Sequence, residues 1–409
     1  MNKPSPVILL IGTADTKGDE LLYLRERIEA AGASTLMMDV GILEPARFTP
    51  EISNDQVALA GGSTLTQLQM DGQESRAIQA MASGAARLAQ RWFAQHRFDG
   101  ILALGGSMGT DLALEVANAL PPGVPKVVLS TIAHSHLIGP QRVPPDLIMI
   151  LWAGGLYGLN PVCRSALSQA AGAAVGACQM AEPVGDARPL IGVTSFGTSC
   201  LRYIVRLKPA LEARGFDVAV FHTTGMGGRA FESLAHKKLF AAVFDFSLQE
   251  ISNHLGGSCV TAGPDRLTAA GSAGVPQIVA PGAVDMIDFP AWAPPPPGFE
   301  DRPGHVHNRL IASATLDSAQ RAQVAQVIAQ RLRGAASPTC LMIPRRGLHA
   351  WDVEGGPMHD PQGLQSFLNA IEAATADLDV VTIDAHINDD AFVDAALERF
   401  DHWVARGII

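Results

Sequence analysis

The 409-residue chain contains no uninterrupted apolar stretch long enough to span a bilayer. The apolar run that follows Lys3 is too short for a signal peptide. No C-x-x-C pair occurs among Cys163, Cys178, Cys200, Cys259 and Cys340. Scattered through apolar or small-residue context, they read as buried, reduced thiols of a cytoplasmic protein. Positive charge is not in excess. Lys and Arg number 30 against 40 Asp and Glu, a formal net charge of -10. Nucleic-acid affinity rests on clustered Lys and Arg, so a general nucleic-acid partner is excluded, and no membrane partner is expected. Two phosphate-binding signatures are also missing, G-x-x-x-x-G-K-[ST] and G-x-G-x-x-G.

What is present is a large apolar fraction, 47%, with only 17% charged residues, the composition of a globular chain with a sizeable core. At roughly 150 residues per domain the length suits two or three domains. The first half alternates strand-like and helix-like segments. Val7–Gly12 is a continuous apolar run, followed by Leu21, Leu24, Ile28 and Ala31 at helical spacing and by Gly32 as a helix stop. Residues 35–40, 100–104, 126–130 and 147–151 read as further strands. Ile78, Ala82, Ala85, Ala89 and Trp92 form one stripe of a long helix, and Leu112, Val116 and Ala119 one face of another. Small residues fill 165–180, a helix suited to close packing in the core, on another domain or on a second subunit.

Residues 181–189, "AEPVGDARP", read as a linker, and then the rhythm restarts. Strands are expected at 190–193, 218–221, 242–246, 277–285, 339–344 and 379–384. Helix faces are marked by Leu201, Ile204, Val205 and Leu211, by Leu364, Phe367, Leu368 and Ile371, and by Phe392, Ala396, Leu397 and Phe400. Strand–helix alternation implies parallel sheets with helices on both faces. The expected fold is therefore α/β, two Rossmann-like domains with mainly parallel sheets, over residues 1–183 and 189–409. Four consecutive prolines within 290–308 break the pattern and favour an extended segment, either a lid or arm or a plain surface excursion.

In open parallel sheets, ligands bind outside the carboxyl ends of the strands. Four loops rich in glycine and hydroxyls fall there: "GTADTKGDE" (12–20), "GGSMGTD" (105–111), "SFGTSC" (195–200) and "TTGMGGRAFE" (223–232). Glycine lets backbone approach an anion, and the helix that follows offers unpaired N–H groups. The same residues also suit a plain tight turn. In the first two loops, Gly12, Thr13, Asp15, Thr16, Lys17, Gly105, Gly106, Ser107, Gly109 and Thr110 are the candidates for phosphate. Asp15 or Asp111 are candidates for Mg²⁺, and the acidic pair at 19–20 complements the dipole of the following helix. In the other two, Gly197, Thr198, Ser199, Gly225, Gly227 and Gly228 would take a substrate carboxylate or phosphate, beside His222, Asp245 and Glu250 as acid–base groups. Asp285, Asp288, His307, Asn308, Asp352, Glu354, His359 and Asp360 are further polar groups at strand ends. For each, helix capping and turn satisfaction compete with a chemical role. The "HSH" at 134–136 puts two imidazoles on one face of an extended segment but has no third ligand at a recognisable spacing.

Several segments in order along the chain carry a family resemblance: "IGTADTKGDE", "ILALGGSMGT", "YGLNPVCRSAL", "GVTSFGTS", "FHTTGMGGRAFE", "GPDRLTAA", "VAPGAVDMIDF" and "HDPQG". By these the sequence resembles the UPF0261 family, also described as proteins with a Tm-1-like ATP-binding domain. The resemblance implies two Rossmann-like domains, ATP at the loops 12–18 and 105–110, and a homodimer. Two function classes follow. One is a nucleotide-binding protein holding ATP and Mg²⁺ on the first domain. The other is an enzyme of small-molecule metabolism acting on an anionic substrate in a cleft between the domains.

Overall fold

The computed structural model describes residues 5–182, 184 and 188–409. Of the expected linker, Pro183, Gly185, Asp186 and Ala187 lie outside the described residues, as does Lys3 at the start of the chain. The chain divides into two compact units, Met1–Val184 and Gly185–Ile409.

The first unit runs β1 (Val7–Gly12), α1 (Ala14–Ala30), β2 (Ser34–Asp39), α2 (Asn54–Ala60), α3 (Leu65–Asp71), α4 (Glu74–Ala94), β3 (Gly100–Gly105), α5 (Ser107–Ala119), β4 (Lys126–Ser130), β5 (Leu147–Leu151) and α6 (Pro161–Met180). Its five strands are all parallel, in the order β2-β1-β3-β4-β5. Successive side chains of β1 point to opposite faces. Leu9 and Ile11 join Ile101, Ala103, Ala85 and Val116 on one side. Ile8 and Leu10 join Leu102, Leu104, Leu24 and Leu167 on the other. Burial on both faces is why the strand reads as an unbroken apolar run. Part of the small-residue stretch on α6, Ala170, Ala171 and Ala174, packs into this second core.

The second unit runs β6 (Leu190–Ser195), α7 (Arg202–Ala213), β7 (Asp217–His222), α8 (Met226–His236), β8 (Ala242–Asp245), α9 (Gln249–Leu255), α10 (Ala269–Ala273), β9 (Gln277–Val279), β10 (Met286–Pro290), β11 (Gly304–Val306), β12 (Ile311–Thr315), α11 (Ser318–Arg333), β13 (Thr339–Pro344), α12 (Pro361–Ala374), β14 (Val380–Ile383) and α13 (Asp390–Ala405). Its main sheet is parallel, ordered β14-β13-β9-β8-β6-β7. Both sheets thus place the unit's second strand outside its first, and the third on the first strand's other side. The chain direction of winding reverses there, and parallel sheets form their ligand crevice at that switch point.

Two expectations change. Residues 277–285 form strand only over Gln277–Val279. Beyond them, β10, β11 and β12 form a separate antiparallel sheet in the order β10-β12-β11. The proline-rich residues connect β10 to β11, so they are the long loop of this small sheet.

Candidate functional site

The first switch point, between β1 and β3, opens into a cavity of about 330 Å³. Thr13, Asp15, Thr16 and Lys17 line it from the loop after β1 and the first turn of α1. Gly105, Gly106, Ser107, Met108 and Gly109 line it from the loop after β3 and the first turn of α5. Ile42, Leu43, Ile78, Met81, Leu112 and Tyr157 supply apolar walls. Neither N-cap residue, Thr13 or Gly106, supplies a side-chain cap, although Asp39 takes the first N–H of α1. The first-turn N–H groups of α5 have no intrahelical acceptor.

The local chemistry explains the loop shapes. Buried Asp39, at the end of β2, accepts the Ala14 N–H at 2.9 Å and the Gly41 N–H at 2.8 Å. Burial raises its pKa, against the lowering by those two N–H groups. Asp15 accepts the Leu43 N–H at 2.9 Å through Oδ2, while its buried Oδ1 has no hydrogen-bond partner. Thr13 and Thr16 hydroxyls pair at 2.8 Å, and Lys17 Nζ donates to Thr16 Oγ1 at 3.3 Å. Lys17 itself departs from helical geometry (φ -130°, ψ 28°), so the helix is kinked where its ammonium meets the cavity.

The glycines separate into two kinds. A Cβ on Gly105 would stand 2.6 Å from Gly109 Cα, and one on Gly12 would press on Leu104 and Leu21 at 3.0 Å. Packing accounts for both. A Cβ on Gly106 would meet only Thr131 Oγ1, at 3.8 Å, so packing does not demand glycine there. Three expected ligands fall away from the cavity lining. Gly12 is enclosed, Thr110 is buried with its hydroxyl 2.7 Å from Ser130, and Asp111 is held by Arg142 at 2.7 Å. Glu20, one of the acidic pair, has a partner outside its own helix. It is buried and accepts the Gly158 N–H at 2.8 Å, fixing the segment that carries Tyr157.

The second switch point, between β6 and β8, is filled. Arg266, fully buried, donates to Asp245 at 2.5 and 2.6 Å, to Glu250 at 2.9 Å and to Glu232 at 3.0 Å. Thr194 of β6 donates to the same Asp245 at 2.7 Å. Three carboxylates face one guanidinium, and burial pushes Glu250 up to about 7. Asp245 and Glu250 are therefore tied into a structural network instead of the acid–base role expected of them. Their removal from solvent and their commitment to Arg266 are the physical reason. Glycines 227 and 228 follow the same logic. A Cβ on Gly227 would lie 1.7 Å from the His222 carbonyl oxygen, and one on Gly228 1.7 Å from Glu250 Oε2. Gly225 has φ 87°, and its N–H donates to Glu250 at 2.6 Å.

His222 stays exposed. Its Nδ1 accepts the Gly197 N–H at 3.0 Å, which assigns the ring proton to Nε2. Partial burial and the His307 imidazole hold its pKa below the ordinary value. Its ring stacks on Phe196, which meets Trp351 edge-on. Thr198 is exposed, whereas Ser199 is buried and its carbonyl receives the Ala350 N–H and the Asn388 side chain.

Beyond the ends of β9, β13 and β14 lies a cluster that spacing along the chain does not reveal. Asp285 and His349 are buried and Asp352 nearly so. His386 Nε2 reaches Asp352 Oδ1 at 3.0 Å and the His349 carbonyl at 3.1 Å. Burial disfavours charge on both Asp285 and His349, but each stabilises the other's charged form. Asp285 is held below the usual carboxylate value and His349 above the usual imidazole value. His349 and His386 were not candidates from sequence. Asp288 accepts from Ser313 and Asn253 within the small sheet, and Asp360 caps α12 and pairs with Arg321.

These features define a two-unit α/β protein with parallel main sheets and an open cavity in its first unit. Residues 6–183 match the "Uncharacterised protein family (UPF0261) N-terminal domain" and residues 188–404 its C-terminal domain. The chain belongs to the UPF0261 family. A UPF0261 protein of Brucella melitensis is 52% identical over 99% of this chain and 97% of its own length. The ToMV susceptible protein tm-1(GCR26) of Solanum lycopersicum is 27% identical over 97% of this chain and 55% of its own length. A Streptomyces glycosyltransferase structure complexed with thymidine diphosphate is 14% identical, with a TM-score of 0.20, covering 96% of this chain and 99% of its own. That score carries no argument. No helix among the described residues is long and apolar enough to cross a membrane.

Proposed function

We propose that the first unit binds a nucleotide, ATP with Mg²⁺, through its phosphates. The observation that carries this reading is the cavity at the β1/β3 switch point, into which the uncapped start of α5, the first turn of α1 and Lys17 converge. Backbone N–H groups at Gly106–Gly109 would receive phosphate oxygens, joined by the hydroxyls of Thr13, Thr16 and Ser107. Lys17 would add a point charge. The unpartnered Oδ1 of Asp15 fits a Mg²⁺ ligand, and the cation would supply charge neutralisation to the phosphates. Asp111, committed to Arg142, has no part in this reading. The apolar walls from Ile42, Ile78 and Met81 suit the non-phosphate part of the ligand. Isothermal titration with ATP and Mg²⁺ tests the proposal. Lys17→Ala should weaken binding about tenfold or more while leaving the fold intact, because a charge-assisted bond contributes about 1.5–3 kcal/mol. Absence of binding to folded wild-type protein would overturn it.

A second reading, an enzyme acting on a carboxylate- or phosphate-bearing small molecule, is supported by His222. A neutral imidazole with its Nε2–H directed away from the Gly197 bond can donate to a substrate oxygen. A thermal-shift screen of small acids and sugar phosphates tests it. A stabilising ligand whose effect disappears in His222→Ala supports the reading, and a full screen without one removes it.

A further inference from the structure

We propose that Asp285, His349 and Asp352 form a binding site for a first-row divalent cation in the second unit, separate from the nucleotide site. One donor atom from each of these residues lies within 4.8 Å of the others. They come from the segments that follow β9 and β13, neighbouring parallel strands, at the carboxyl edge of the sheet.

The inner geometry points to a ligand. His349 Nε2 and Asp285 Oδ1 are 3.3 Å apart, yet neither makes a hydrogen bond. At that separation a buried imidazole N–H and carboxylate would be expected to align. The two stand in ion-pair range without an aligned hydrogen bond, so neither atom is fully satisfied by the other. Two atoms ligating one ion at about 2.0–2.1 Å in tetrahedral geometry are themselves about 3.3 Å apart, with both lone pairs aimed at a third point. His349 is fully buried and Asp285 is 3% exposed, so water does not satisfy these atoms from bulk.

The surroundings support the same site. Asp352 receives the His386 Nε2–H on Oδ1 and the His349 and Leu348 N–H groups on Oδ2, so its orientation is fixed. Ligating carboxylates commonly carry such outer bonds. Two carboxylates and one imidazole, with no thiolate, suit Mn²⁺, Fe²⁺ or Zn²⁺ better than soft Cu(I). Cys200 is close by, but its thiol is bonded to the Leu348 carbonyl and burial pushes its pKa far up. Arg321 also acts on Asp285 and His349, and its charge is shared with Asp360. The two carboxylates of the cluster supply negative charge toward the cation.

Trp351 supplies a readout. Its N–H lies 3.2 Å from His349 Nδ1, which without a cation assigns the ring proton to Nε2. A cation at Nε2 takes that proton's place, and the proton moves to Nδ1. With the proton on Nδ1, the bond from the Trp351 backbone N–H is lost. The indole, 5.9 Å from the imidazole, should therefore report binding.

The test uses the full chain, stripped with chelator and free of nucleotide, titrated with Mn²⁺ and with Zn²⁺. Bound metal is measured after gel filtration, and tryptophan emission is followed in parallel. One equivalent retained, with an emission change that Trp351→Phe abolishes, is the expected result. Asp285→Asn and Asp352→Asn should each lower affinity more than tenfold. His386→Gln, which acts through Asp352 and the His349 carbonyl and not as a ligand, should lower it by a smaller factor, about tenfold. If Asp285→Asn fails to fold, Asp352→Asn decides. No retained metal in wild type, or equal retention in the folded carboxylate variants, overturns the proposal.

Discussion

Between β1 and β3, side chains stand back from a cavity of about 330 Å³, and the start of α5 faces it uncapped. At the corresponding place in the second unit, between β6 and β8, Arg266 and its carboxylates occupy the interior. The strand order around the two places is the same. Both loops also carry the glycine-rich sequence that suggests anion binding. What separates them is what each glycine faces. A Cβ on Gly106 would make only an ordinary contact, with Thr131 Oγ1 at 3.8 Å, whereas one on Gly228 would collide with Glu250. A glycine-rich loop therefore signals close approach of something to the backbone. That something is the protein's own carboxylate in one unit and, in our reading, a ligand's phosphate in the other.

The comparison can be broken most severely at Arg266. Arg266→Met should destabilise the chain by about 3–5 kcal/mol in urea or guanidinium unfolding, because Asp245, Glu232 and Glu250 would remain buried without their cation. A variant as stable as wild type would mean that the filled switch point is not structural. Gly228→Ala comes next. Its methyl would collide with Glu250 Oε2, at an expected cost of about 1–3 kcal/mol by the same measurement.

Glu250 gives a smaller, pH-dependent effect. Burial raises its pKa from 4.5 to about 7, so the folded state holds the proton more tightly than the unfolded state does. Its contribution to stability is complete below about 4.5 and is lost as pH rises through about 7. The unfolding midpoint should fall over that window, and fall less steeply in Glu250→Gln. An identical pH profile in the two proteins would remove the assignment. The smallest change in stability is expected of Gly106→Ala, which meets no close neighbour and has an ordinary φ of -74°. Yet it should weaken nucleotide binding about tenfold by interposing a methyl at the cavity wall. Calorimetric titration beside thermal unfolding separates the two outcomes. A large loss of stability with binding retained would reverse the distinction drawn here.

Much of the parallel framework is legible in the sequence because strands buried on both faces must be apolar throughout. The β4, β5 and β13 ranges are read from their apolar runs, although β5, at the sheet edge, is only partly buried. Helices α2, α3 and α11 were readable in principle from Ser53, Thr64 and Asp317, each followed three residues on by Gln, since all three form capping boxes. The antiparallel sheet is less legible. Its strands are short, and β11 is separated from β10 by a proline-rich loop. The candidate site divides in the same way. Thr13, Thr16, Lys17 and Ser107 announce themselves because each sits within a few residues of a strand end. The pairing of Asp285 with His349 depends on β9 lying beside β13, a contact that local spacing does not encode. Arg266 was missed for the same reason, and its absence left Asp245 and Glu250 looking free.

Helix α1 serves two walls of one cavity. Its first turn presents Thr13, Thr16 and Lys17, and Glu20, just beyond the kink, grips the Gly158 N–H of the segment bearing Tyr157. The floor and the rim are thereby mounted on one lever. A change in the kink at Lys17 would carry to the tyrosine's segment through that bond, so the two walls of the crevice are mechanically a single part.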